Sequence, residues 1–273
     1  GVHLLHPVPG TVAALPGPLP RDFWGQATAQ ISGQIFRCGG PGPQVPRRSN
    51  LESFDQLTAS WQPLPSMSRG RLHNTATALH GKLYVCGGVE EETILRCAEC
   101  FDPATGCWSQ MKRMGFAREN HGAAALQGDL YVCGGDVDVA ERERAVGTME
   151  RFSISTGSWK RMPPMPARVE GTHHAAALGG RVYVVSSPPY SGAAMVEVFD
   201  AATDSWREPQ FLTSGGDELW LHTAAAWHGK LHVILGHRWT TAPTSAQLLD
   251  LRTGEWERVP LVLRELNPCV FSN

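Results

Sequence analysis

Apolar residues along this chain fall in short runs separated by glycine-containing turns, and the runs come in pairs. His73 to Gly88 reads HNTATALHGKLYVCGG and His121 to Gly135 reads HGAAALQGDLYVCGG. His173 to Ser187 reads HHAAALGGRVYVVSS, His222 to His237 reads HTAAAWHGKLHVILGH, and Gln26 to Gly40 is a weaker copy, QATAQISGQIFRCGG. Each is an apolar strand, a turn containing Gly33, Gly81, Gly128, Gly180 or Gly229, and a second apolar strand. A positive φ costs glycine least, so these are β-hairpin patterns. The first strand of each pair is rich in Ala, Thr and Gly, which suits a crowded inner position. The second is bulkier.

A second signature follows each pair. Glu52-Ser-Phe-Asp55 runs to Trp61, Glu99-Cys-Phe-Asp102 to Trp108, Glu150-Arg-Phe-Ser153 to Trp159, Glu197-Val-Phe-Asp200 to Trp206 and Gln247-Leu-Leu-Asp250 to Trp256. These tryptophans are 47, 51, 47 and 50 residues apart. Each unit thus supplies four short strands, and one such sheet cannot bury both its faces alone. Packing the sheets radially around an axis buries them and shields their edges, which predicts an all-β propeller with a tryptophan between neighbouring blades. Five blades are expected at residues 26–64, 73–112, 121–162, 172–209 and 222–259. Residues 1–16 align with the outer two strands of a blade, and 265–273 fall where an inner strand begins. The expectation is therefore a six-bladed propeller with four antiparallel strands per blade. It forms a single domain over 1–273, with one blade closed by both termini.

The Gly-Gly pair after an apolar strand, the aromatic and the tryptophan, at about 50 residues per unit, resemble the kelch repeat. The resemblance covers nearly the whole chain. Ser186-Ser187 and Gly236-His237 depart from the Gly-Gly pattern. The spelling HAAALGGRVYVV looks most like kelch domains of animal adaptor proteins, in which a BTB–BACK region binds a cullin scaffold and the propeller recruits a substrate for ubiquitination. The resemblance implies a protein-binding propeller, the substrate-recognition module of a cullin–RING ligase adaptor. Any cullin contact would run through a region absent from this sequence. Rival expectations are a scaffold or cytoskeletal kelch protein and, last, an enzyme using the channel. The chain does not begin with Met, which suggests a piece of something longer.

Kelch partners usually dock on the face formed by the loops that lead into each inner strand and those that follow the Gly-Gly pair. Transferred here, that face takes in Trp24, Arg71, His73, Arg118, Asn120, Thr172, His173, Tyr190, Trp220, His222, Arg238 and Trp239. Aromatics and arginines in loops have the composition of an interaction hot spot. The competing reading of each is structural: the tryptophans fold back onto their blades, and the arginines brace the loops.

Other chemistry finds little support. With 24 Lys+Arg against 26 Asp+Glu, the net charge is -2, so neither nucleic acid nor an anionic membrane is an expected partner. No apolar stretch reaches the roughly 18–20 residues that cross a bilayer. Seven cysteines and no N-x-[ST] sequon fit a reducing compartment, cytosol or nucleus. The recurrent His73, His121, His173 and His222 sit on separate blades, whereas a zinc ion needs ligands about 2 Å from one point. Cys97 and Cys100 lie three apart on a strand and face opposite sides. Tyr84, Tyr131 and Tyr183 occupy one equivalent position and read as structural. No phosphate loop, nucleophile elbow or HExxH is present. No catalytic residue, metal or cofactor is therefore expected.

Overall fold

The computed structural model describes residues 3–5, 11–14, 25–40, 49–138, 140, 145–187, 194–212, 219–237, 243–250, 253, 255–260 and 262–265. Two short strands, β1 (His3–Leu5) and β2 (Thr11–Ala14), come first. Blade 1 is β3 (Gln26–Ile31), β4 (Gln34–Gly39), β5 (Leu51–Asp55) and β6 (Ser60–Leu64). Blade 2 is β7 (Thr75–Leu79), β8 (Lys82–Cys86), β11 (Ala98–Asp102) and β12 (Cys107–Gln110), with the small hairpin β9 (Val89–Glu90) and β10 (Thr93–Ile94) in its loop. Blade 3 is β13 (Gly122–Leu126), β14 (Asp129–Cys133), β15 (Met149–Ser153) and β16 (Ser158–Arg161). Blade 4 is β17 (Thr172–Leu178), β18 (Arg181–Ser187), β19 (Met195–Asp200) and β20 (Ser205–Trp206), with β21 (Gln210–Phe211) also pairing β19. Blade 5 is β22 (Leu219–Trp227), β23 (Lys230–His237), β24 (Pro243–Asp250) and β25 (Trp256–Pro260). Within every blade neighbouring strands are antiparallel, and successive inner strands adjoin in the order β3, β7, β13, β17, β22. The fold is an all-β propeller.

Among the described residues five blades are formed, where six were expected. The chain ends make a three-stranded sheet instead, with β1 antiparallel to β2 and β26 (Val262–Glu265) parallel to β2. The physical reason lies in the short step from β25 to β26. It sets β26 beside β2 in parallel, with Thr11 opposite Val262 and Ala14 opposite Glu265, in place of an antiparallel inner strand. The inner strand expected at 265–273 lies, Glu265 apart, outside the described residues.

The repeated residues each have a local task. The aspartate of the Glu-x-Phe-Asp signature closes the turn after its strand: Asp55, Asp102 and Asp200 each accept the backbone N–H two residues on, from Leu57, Ala104 and Ala202. The phenylalanine meets the tryptophan across the strand pair, with ring centroids 5.1 Å apart for Phe101–Trp108, 5.0 Å for Phe152–Trp159 and 5.2 Å for Phe199–Trp206. Each of these tryptophans also reaches the preceding link. Trp108 Nε1 donates to Pro65 O, Trp159 Nε1 to Lys112 O and Trp206 Nε1 to Pro163 O. Trp108 packs on a cluster that joins Phe36, Cys38 and Met67 to Leu83, Val85 and Phe101, so the ring bridges blades 1 and 2. Trp159→Phe keeps an aromatic ring beside Phe152 but removes the 2.7 Å bond to Lys112 O together with part of the indole packing. It is expected to lower unfolding free energy by about 1 kcal/mol in urea denaturation.

The buried Cys38, Cys86 and Cys133 are core residues. Desolvation pushes each thiol up to about 12, which leaves them unreactive at neutral pH. Tyr84, Tyr131 and Tyr183 are likewise buried in the blade cores.

Candidate protein-interaction surface on the loop face

The loops that lead into the inner strands are tied to one another through their backbones. His73 N donates to Gly25 O at 2.7 Å, Asn120 N to His73 O at 3.0 Å and His173 N to Asn120 O at 2.8 Å. A belt of main-chain bonds thus joins the inner ends of blades 1 to 4. It requires a left-handed turn at each step, with φ of 74° at Gly25, 54° at His73 and 52° at Asn120. Asn and His accept that conformation more readily than most side chains. The belt fixes the backbone and leaves the His73 and Asn120 side chains half-exposed.

The loops after the Gly-Gly pairs lie against the belt. Leu72 and Val89 form an antiparallel bridge, as do Glu119 and Asp136. Glu90 accepts from Arg69 Nη1 at 2.8 Å and from Gly70 N at 2.9 Å. Asp136 accepts from Asn120 Nδ2 at 2.8 Å and from Gly171 N at 2.9 Å. Burial, and then the charge of Asp136, raises the Glu119 carboxyl above its ordinary range. Glu91, Glu92 and Asp138 are exposed in the same loops.

Two of the arginines face inward. Arg71 and Arg118 are both 0% exposed. Arg71 Nη1 donates to Gly87 O and Cys97 O, and its Nη2 donates to Cys97 Sγ and, at 2.7 Å, to Glu99 Oε1. Arg118 repeats the arrangement on Gly134 O, Thr148 O, Thr148 Oγ1 and, at 2.8 Å, Glu150 Oε1. The structural reading of these arginines is the one the geometry supports. Each ties the incoming link to the Gly-Gly carbonyl and to the glutamate of its own blade, beyond the reach of a partner.

His173 is also buried, which removes it from the expected docking face. Gly135 N donates to its Nδ1 at 3.0 Å, while His121 Nε2 lies 2.9 Å from Thr75 Oγ1. Desolvation lowers His173 to about 4 and holds His121 well below its ordinary value, so both rings are neutral at physiological pH. The first glycine of each Gly-Gly pair makes room for the residue that opens the next inner strand. A Cβ on Gly39 would meet Asn74 Oδ1 at 2.4 Å, one on Gly87 would meet His121 Cε1 at 2.7 Å, and one on Gly134 would meet His173 Cδ2 at 2.4 Å. The rings are packing and hydrogen-bonding elements between blades. Among the described residues no cluster of three metal-ligating side chains is formed.

Of the other expected site residues, Thr172 opens β17, half-buried and paired with Ser187. Trp220 and His222 lie within the nine-residue strand β22 and not in a loop. Trp220 is paired with Gly236, and the register shifts between Leu221 and Thr223, so His222 falls at a β-bulge. The apolar run Leu219 to Leu221 extends the strand past its expected start. Trp24, Tyr190, Arg238 and Trp239 lie outside the described residues. Cys97 and Cys100 point apart: Cys97 lies against Arg71, and Cys100 is buried with Tyr84, Leu130 and Phe152.

Blade 4 breaks the arginine–glutamate pattern. Glu197 is fully buried and accepts Ala167 N through Oε1, but Oε2 has no hydrogen-bond partner. Desolvation raises its carboxyl above the ordinary range. A carboxyl raised by folding is no burden while it is protonated. The burden grows as pH climbs past about 4, the unfolded value, and levels off above the folded one. Glu197→Gln removes that burden and is expected to stabilise the protein by about 1–3 kcal/mol at neutral pH, with the gain fading toward pH 4. Thermal unfolding of both proteins across that range checks it.

A propeller with braced loops presenting side chains from successive blades is the architecture of an interaction module. The family comparison makes it specific. Residues 10–187, well over half of the chain, match the model described as the KLHDC2/KLHL20/DRC7 Kelch-repeats domain, and the chain belongs to this kelch-repeat family. Among curated proteins it is similar to the F-box/kelch-repeat protein At4g39580 of Arabidopsis thaliana, 36% identical over 99 residues, covering 36% of this chain and 24% of that protein. It is also similar to the F-box/kelch-repeat protein At1g67480 of Arabidopsis thaliana, 37% identical over 68 residues, covering 25% of this chain and 18% of that protein. The chain thus spans a quarter or less of the length of these relatives. A solved structure titled "Structure of YjhT" shares the fold, with a TM-score of 0.67 and 16% identity over 89% of this chain and 85% of that one.

Proposed function

We propose that this kelch propeller is the substrate-recognition module of a ubiquitin ligase adaptor, with the loop face at the inner ends of the blades as its docking surface. The observation that carries the docking surface is the main-chain belt. It fixes the backbone of His73 and Asn120 through main-chain bonds and leaves their side chains half-exposed. A preorganised surface of this kind avoids much of the ordering cost of association. The ligase link is supported by the two relatives named as F-box/kelch-repeat proteins.

The double substitution His73→Gly and Asn120→Gly keeps the positive φ and removes both side chains. It is expected to reduce partner recovery in affinity capture at least about tenfold, the effect of losing a modest hot spot. Unchanged recovery from a protein with native thermal stability would reject this surface. If the full-length protein fails to co-purify with a cullin, the ligase role is lost while the docking surface stands.

A further inference from the structure

In blades 2 and 3 one arginine from the incoming link fills a slot lined by the Gly-Gly carbonyl and the blade's glutamate. The links align through a shared bond. Met67 N donates to Ser49 O, Met114 N to Arg96 O and Met165 N to Gly147 O, in each case two residues before the third strand of the preceding blade. Arg71 and Arg118 lie four residues after their methionines, and the residue four after Met165 is Val169. Blade 4 therefore keeps the glutamate of this slot and lacks the arginine. Its lining shows the loss in two places. Glu197 Oε2 and Ser186 Oγ are both buried without a hydrogen-bond partner. The pairs Val184–Glu197 and Ser186–Met195 put both side chains on the same face of β18 and β19.

The neighbouring Arg168 does not serve as a substitute. It comes one residue early, has φ of 44° and turns outward, with Nε 3.4 Å from Val146 O. Over the slot lies the link from Pro166 to Glu170, whose residues are all exposed or half-exposed. A single layer of surface chain thus separates the slot from solvent.

We propose that the blade 4 slot is a binding site for a guanidinium group, the side chain of an arginine carried by a partner polypeptide. The chemistry is that of blades 2 and 3. A planar fork of donors meets a buried carboxylate and a second acceptor, here Glu197 and Ser186. Opening of the 166–170 link admits it. The proposal extends the reading of the loop face as a docking surface. Its test uses the isolated chain and a small probe, so it succeeds or fails independently of partner capture.

The probe is N-acetyl-arginine amide, compared with N-acetyl-lysine amide at equal ionic strength, and the readout is thermal unfolding. At about ten times its dissociation constant the arginine probe is expected to raise Tm by roughly 2–5 °C above the lysine probe. Glu197→Gln removes the carboxylate, and Val169→Arg supplies a guanidinium from within. Both are expected to abolish the difference. Val169→Arg also keeps the test valid if Glu197→Gln behaves poorly. Equal response to the two probes in the natural protein overturns the proposal, as does an arginine-specific rise that survives in both variants.

Discussion

Arg118→Met is expected to cost about 3–5 kcal/mol of unfolding free energy, measured by urea denaturation. The pair it breaks is enclosed: the Arg118 side chain is 0% exposed and that of Glu150 3%. Methionine approximates the arginine stem but leaves the Glu150 carboxylate without its cation and Gly134 O without its arginine donor, while Thr148 O keeps only the bond from Gly134 N. The cost comes mainly from that stranded charge and less from the net worth of the ion pair. Adding Glu150→Gln to Arg118→Met is accordingly expected to recover a large part of the loss. Binding measured per folded molecule should be unchanged, which separates a brace from a contact residue.

The second large effect concerns the Gly-Gly pair. Gly87→Ala is expected to destabilise the protein by about 3–5 kcal/mol, the sum of left-handed strain and overpacking. Gly87 has φ of 57°, and a Cβ there would lie 2.4 Å from Arg118 O, a main-chain atom of the next link. Gly81, in the β7–β8 turn, is the internal control: φ is 73° and nothing lies within 4 Å of its Cβ position. Gly81→Ala should therefore show the backbone strain alone, about 1–2 kcal/mol. The difference between the two alanine variants in thermal or urea unfolding isolates the close approach of blades 2 and 3.

These two predictions also mark what the sequence revealed and what it withheld. Hairpin patterning, tryptophan spacing and the Glu-x-Phe-Asp signature are local, and they recur in register, so the blades could be drawn from residue order alone. The arginines looked like docking residues because loops that carry Arg and aromatics have that composition. Their true partners, Glu99 and Glu150, lie 28 and 32 residues away and meet them only after the blade folds. A signal was present nonetheless. The glutamate recurs at one position in four of the five signatures, at Glu52, Glu99, Glu150 and Glu197, and a charge repeated on an otherwise apolar strand asks for a partner. The break at Val169 could have been found by the same comparison. The terminal strands were harder, because the parallel addition of β26 to β2 leaves no turn signature, and hairpin grammar describes only antiparallel neighbours. Trp220 was misplaced for a simpler reason: strand ends are set by pairing across to β23, which residue order alone does not display.

The belt linking Gly25, His73, Asn120 and His173 uses no side-chain atom in its three bonds. Its geometry therefore constrains only which residues tolerate the left-handed turn and says little about what those residues project. Glycine, asparagine, aspartate and histidine can be exchanged at 73 and 120 without dismantling the ring. Specificity could thus diverge between paralogues, or be selected from a small combinatorial library, on an unaltered chassis.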